Sequence, residues 1–410
     1  MLLLIFGCAK SPIQNDSLLT HVQLIDRNGV NETISQKDRL ELYRKVDFLT
    51  AQPYEKVVRV FKRDSEGKVP ALLTTYHPNG ELYQYLEVSC GRAKGEYKEW
   101  YENSALRIVS HVMEGVGDLS PDAQTSWIFD GESKVFDISG NLKAKLSYEK
   151  GKLQKEALYY HANGKPAKIL PYKDDVLDGE KKVYDIDGLF IGSMNYSEGL
   201  RDGISSFLGD KYRAKREEFY KKGLLITGKY WNFNGELTHE IWDGNGIRPE
   251  YESGFLFSEH EYLAGKPEGL VKMYRSNSNL ETVFTIKDGQ KQGEETTYYP
   301  DSNQPIFQIN WCDDAVHGAI RTWYPNGKIE SEKEMVQNKK QGKYIAWYED
   351  GNMMMIEEYE GDILTNGKYF KKNEEVSTSR VVQGCGTATI YDARGNFLQK
   401  IEYQKGVPSV

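Results

Sequence analysis

Cysteine is scarce in this chain: four in 410 residues, at positions 8, 90, 312 and 385, with no Cys-x-x-Cys pair. That spacing argues against a disulfide framework and against a thiolate zinc site. Long apolar runs are missing as well, and no stretch approaches the roughly 20 apolar residues of a membrane-crossing helix. Charge of one sign is not concentrated anywhere. The 53 Lys and Arg are interspersed with 61 Asp and Glu, for a net charge of −8. A nucleic-acid surface or an anionic-lipid surface needs a basic face, and none is written here. Hydrophobic residues make up only 39%, too few for one thick aliphatic core.

Tyrosine (28) and glycine (38) are abundant instead, a mixture that suits many short strands, tight turns and amphipathic aromatics. The stretch Gly318 to Gly342 shows the pattern. A β-prone run, Ile320 to Tyr324, ends in Pro325-Asn326-Gly327. A second run, Lys328 to Val336, ends in a polar turn, and Lys343 to Tyr348 then repeats the first run.

An aromatic residue before a tight turn recurs at Tyr76, Tyr101, Phe136, Tyr160, Tyr184, Phe207, Trp231, Tyr251, Tyr274, Tyr299, Tyr324, Tyr348, Phe370 and Tyr391. Its intervals are 20 to 25 residues, broken once by 35. The long interval marks an insertion near 114–132 with an apolar anchor at Trp127-Ile128-Phe129. Paired glycines such as Gly91/Gly95, Gly199/Gly203, Gly265/Gly269 and Gly289/Gly293 mark a second turn in each unit. Two turns and two runs per unit predict two antiparallel strands per repeat. The fold class is therefore mainly β: an elongated array of antiparallel β-hairpins in one meander, with aromatic ladders in place of a core. Period-two alternation puts Tyr97, Glu99 and Tyr101 on one face and Lys98 and Trp100 on the other. Likewise Tyr344, Ala346 and Tyr348 align against Ile345 and Trp347.

Ahead of the array, residues 21–70 read as a cap. It has a strand over His21–Asp26, a helix from Gln36 to about Leu49 with Leu40, Tyr43, Val46 and Leu49 on its apolar stripe, and a strand over Val57–Lys62. The array itself occupies 71–410.

The aromatic-x-x-x-Gly, then Gly-x-x-x-Gly, then Trp100-Tyr101, Trp323-Tyr324 or Trp347-Tyr348 pattern resembles the bacterial variant of the MORN repeat, as found in YwqK-type antitoxin proteins. The resemblance covers about residues 70–405. It implies a MORN-variant meander sheet and a scaffold that associates with proteins or membranes. Residues 1–8 resemble a lipoprotein signal stub: Ile5-Phe6-Gly7-Cys8 is similar to a bacterial lipobox, with residues 9–20 as a polar tether. That resemblance implies lipidation at Cys8 and a place in the cell envelope, on the inner or outer membrane.

Catalytic signatures are weak. Gly223 to Lys229 mimics a phosphate-binding loop, but Tyr230 stands where Ser or Thr is needed. The seven histidines are scattered with no metal-ligand spacing, and Asp174-Asp175 and Asp313-Asp314 sit at turns. No cofactor or metal is expected, and no enzymatic activity. The leading expectation is a non-enzymatic interaction scaffold tethered through Cys8 and binding another protein. One alternative is a cytoplasmic antitoxin-like protein that neutralises a partner by covering it. Another is recognition of cell-wall glycans by aromatics. In either binding case the candidate contact residues are Tyr97, Trp100, Tyr101, Trp323, Tyr324, Trp347 and Tyr348.

Overall fold

The structure, a computed structural model, describes residues 18–209 and 214–409. Cys8 and the whole stub at 1–8 lie outside the described residues. The chain divides into two compact units, up to Gly203 and from Ile204 onward.

In the first unit the strand Leu19–Ile25 lies between Asn31–Ile34 and Lys56–Phe61, antiparallel to both. Helix α1 spans only Lys37–Tyr43, so the expected helix stops about two turns early. No Gly or Pro ends it. The Lys45 and Val46 N–H groups turn back to the Leu42 and Tyr43 carbonyls, and beyond them Asp47 forms a local turn that competes with helix, its carboxylate accepting the Leu49 N–H and its carbonyl the Thr50 hydroxyl. The turn rotates Phe48 inward, where it is buried, and leaves Leu49 exposed. Val22, Leu40, Phe48, Val57 and Leu72 form one apolar cluster on this side of the sheet.

The insertion covers the opposite side. Helix α2, Pro121–Gln124, leads to Trp127, whose ring meets Tyr97 edge-on at 4.9 Å and whose indole N–H donates to the Val116 carbonyl at 2.9 Å. Ile128–Phe129 adds a short strand beside Leu106–Glu114.

From Pro70–Tyr76 to Phe190–Ser197 each strand pairs antiparallel with a sequence neighbour, and the second unit repeats this from Arg216–Lys221 to Val407–Pro408. One edge carries two-residue turns such as Cys90-Gly91 and Gln337-Asn338, with positive φ at both places, the hairpin geometry that follows strand twist. The other edge mostly carries longer turns. Just before these the register slips by one residue, for example at Thr75/Tyr76, Glu99/Trp100, Thr322/Trp323 and Ala346/Trp347. The recurring slip falls immediately before the aromatic doublets, with the extra residue on the following strand, for example Glu330 and Met354. It also shows that the aromatic landmark occupies two adjacent places: Tyr76 closes its strand, whereas Tyr101, Tyr324 and Tyr348 open the turn.

Hydrogen bonds between successive repeats tie both edges. Tyr299, Tyr324 and Tyr348 donate their hydroxyls to the carbonyls of Trp323, Trp347 and Phe370 at 2.7–2.8 Å. Arg275 does the same to Tyr298, and His77 to Trp100 at 2.9 Å as its Nε2–H tautomer. At Asp137, Asp185, Asn232 and Asp392 the first turn residue instead accepts N–H groups from its own turn. On the opposite edge, Asp175, Asp314, Asn338 and Asp362 accept the N–H of Leu153, Lys291, Val316 and Lys340. The turn aspartates are therefore part of the scaffold.

Candidate functional site

Within the second unit two segments share one plan. In the first, Glu218, Gly228, Ile241 and Gly246 lie side by side on neighbouring strands; in the second, Glu357, Gly367, Val381 and Gly386 do. At each glycine of both pairs a Cβ would collide with a neighbouring atom. The hydroxyl of Tyr230 lies 2.5 Å from where a Cβ on Gly228 would stand, and that of Tyr369 lies 2.6 Å from the place on Gly367.

Each row buries a carboxylate. Glu218 accepts from Tyr230 at 3.0 Å, Tyr220 at 3.2 Å and Arg248 Nε at 2.8 Å. Burial raises its pKa, but the charges of Arg248 and Arg216 and these hydrogen bonds reverse that and hold it below the ordinary glutamate value. Glu357 accepts from Tyr369 at 2.8 Å and Tyr359 at 2.9 Å. It has no cationic partner among the described residues, because Ala388, two places after Gly386, stands where Arg248 stands two places after Gly246. Burial, and the neighbouring glutamate, push the hydroxyls of Tyr230 and Tyr369 far above the usual phenol range. They donate hydrogen bonds and do not act as bases near neutral pH. These clusters hold the sheet together.

The opposite face over the first segment is concave. A groove of about 620 Å³ is lined by Ile204, Phe219 and Trp242 together with Glu217, Lys229 and Glu240. Trp242 is 79% exposed, and Ile204 is exposed as well. Lys229 stands directly opposite both Glu217 and Glu240 on its neighbouring strands. Glu217 is paired with Lys215 at 2.9 Å, whereas Glu240 has no ion pair among the described residues. Over the second segment the corresponding groove, about 420 Å³, is lined by Lys343, Lys368 and Arg380 with Glu358, Ile356 and Val382.

The contact residues expected from sequence lie elsewhere. Tyr97, Tyr324 and Tyr348 are buried, with hydroxyls bonded to Glu99 and to the carbonyls of Trp347 and Phe370. Trp100, Tyr101, Trp323 and Trp347 are half-buried, and Trp100 packs on the cluster of α1. Tyr97, Trp100 and Tyr101 belong to the first unit and the other four to the second. The stretch resembling a phosphate loop is a two-residue turn at Lys222-Gly223 followed by the strand Leu224–Trp231. Trp242 escaped notice because it sits beside a two-residue turn, not among the aromatic doublets. Its signal was the alternation Glu240, Ile241, Trp242, which puts Ile241 inside and its neighbours outside.

Residues 153–174 and 316–337 match the MORN repeat variant. Each match is one strand, one long turn and one strand, and the residue just past it, Asp175 or Asn338, accepts a hydrogen bond from the first residue of the match. No curated protein sequence matches the chain. Among solved structures, the crystal structure of TcdB2-TccC3-TEV is similar at 11% identity over 92% of this chain, with a TM-score of 0.14. The chain spans 24% of that protein's length. A porin-like protein from Bacteroides uniformis is similar at 10% identity over 60% of this chain and 96% of its own, with a TM-score of 0.15.

Proposed function

We propose that the chain is a non-enzymatic repeat scaffold that binds a protein partner in the groove beside Trp242. The occupant is an extended segment bearing an arginine, stacked on the indole and paired with Glu240. The observation that carries this reading is a 79% exposed tryptophan in a concavity, two residues from a carboxylate with no ion pair. Indole is the best cation–π surface, and Trp and Arg are enriched where interfaces concentrate their energy. The sheet beneath is rigid because Glu218 and Arg248 are buried and fully bonded, so little ordering cost falls on binding. The polar tether after Cys8 motivates a further element of the proposal, a lipid on Cys8 that holds the scaffold at the envelope.

Calorimetric titration of the full chain with an arginine–glycine peptide tests the groove. Trp242→Ala and Glu240→Gln are each expected to weaken binding by about tenfold, with the fold intact. Binding unchanged in both variants contradicts the proposal. Binding of a neutral oligosaccharide instead, lost in Trp242→Ala, reassigns the groove to glycan recognition. Mass spectrometry of the mature amino terminus tests the anchor, and an unmodified Cys8 removes it.

A further inference from the structure

We infer that the groove over the second segment is a separate anion-recognising site, built to take an acidic, extended polypeptide segment. Lys368 and Arg380 are directly opposed on neighbouring strands, Lys368–Arg380 being a registered pair. Like charges in that position repel and weaken a sheet. Lys343 contributes a third cation to the same concavity. None of the three has an ion pair among the described residues. One carboxylate, Glu358, lines the same groove opposite Lys343, and none opposes Lys368 or Arg380, which face each other. Glu358 accepts from the Asn366 side chain at 3.0 Å, and Glu402 is held by Lys400 at 3.2 Å and by the Thr387 hydroxyl.

The contrast with the first groove is internal to the molecule. Arg380 stands where Glu240 stands, one residue before the buried Val381 or Ile241, and Ile356 stands where Glu217 stands, one residue before the buried glutamate. The same scaffold therefore carries Glu–Lys–Glu across one groove and Arg–Lys–Ile across the other. In a chain of net charge −8, three cations against the single carboxylate of Glu358 around a cavity of about 420 Å³ are a local reversal of sign. Carboxylates of a ligand would relieve the Lys368–Arg380 repulsion, and the exposed Val382 and the neighbouring Ile356 offer apolar contact between them. A β-strand face spaces alternate side chains by about 7 Å, which matches alternate carboxylates of an extended segment.

The test is titration of the full chain with an oligoglutamate peptide at low salt. Saturable binding is expected, weakened about tenfold by Arg380→Glu and to a similar degree by Lys368→Ser, with circular dichroism unchanged. Trp242→Ala should leave this binding untouched, which separates it from the arginine-peptide site. No binding at low salt overturns the inference, as does equal binding to Arg380→Glu and Lys368→Ser. Inorganic phosphate that competes as well as the peptide points to a free-anion site and overturns the polypeptide reading. Binding to phosphatidylserine vesicles in place of the peptide overturns it too.

Discussion

In the segment of Glu218 the buried carboxylate meets Arg248; in the segment of Glu357 the equivalent place holds Ala388, and two tyrosine hydroxyls satisfy the carboxylate without a cation. The rest of the inner row differs only by Ile241 against Val381, and the paired glycines and the tyrosine folded over one of them are kept. The outer face changes freely, from an exposed tryptophan beside a carboxylate to valine beside arginine. The difference teaches where this repeat tolerates variation. Inner positions are coupled to one another through shared hydrogen bonds, and the glutamate with its two tyrosines is kept even where the arginine is not. Outer positions touch mainly their cross-strand neighbours, so one scaffold can present two opposite chemistries.

Removing Arg248 tests this coupling most severely. Arg248→Ala leaves Glu218 buried without its counter-charge and is expected to cost about 3–5 kcal/mol in chemical denaturation. The double variant with Glu218→Gln should recover a large part, and a mild effect of Arg248→Ala alone would mean that the tyrosines suffice in both segments.

The same pair should set the acid response. Glu218 lies below its ordinary 4.5, so its stabilisation is complete above that pH and is lost as pH falls through the folded value. The stability gap between the wild type and Glu218→Gln should therefore stay constant down to about pH 4.5 and narrow below it.

Smaller effects sharpen the contrast. Tyr369→Phe leaves Glu357 with one donor and should cost about 1–3 kcal/mol. Tyr230→Phe should cost less, because Arg248 still holds Glu218; equal losses in thermal unfolding would break the distinction. At the turn edge, Tyr324→Phe removes one inter-repeat bond and should cost about 1 kcal/mol.

Much of the scaffold was legible in the amino acids alone. Gly91, Gly199 and Gly265 marked two-residue turns because those turns need positive φ, and Trp127-Ile128-Phe129 declared itself as the anchor of the insertion. The end of α1 was hidden because no Gly or Pro marks it, and the chain passes through tight turns into the side-chain turn at Asp47. The bulge at Ala346/Trp347 was hidden as well, since a strict period of two contains no such slip. The buried carboxylates left a trace, Glu218-x-Tyr220 and Gly228-x-Tyr230 repeated as Glu357-x-Tyr359 and Gly367-x-Tyr369. That trace lay beside the aromatic landmarks Trp231 and Phe370, which drew the reading one residue away. The grooves could not be read at all without strand register, because only pairing places Lys368 opposite Arg380.

The most direct test of the central claim is an exchange of outer-face chemistry between the two segments, Glu240→Arg with Trp242→Val in one and Arg380→Glu with Val382→Trp in the other. If the inner rows are scaffold and the outer faces recognise partners, the exchanged protein keeps its thermal stability, and oligoglutamate and arginine-peptide binding change places. Stable protein whose peptide binding stays unchanged would contradict the account.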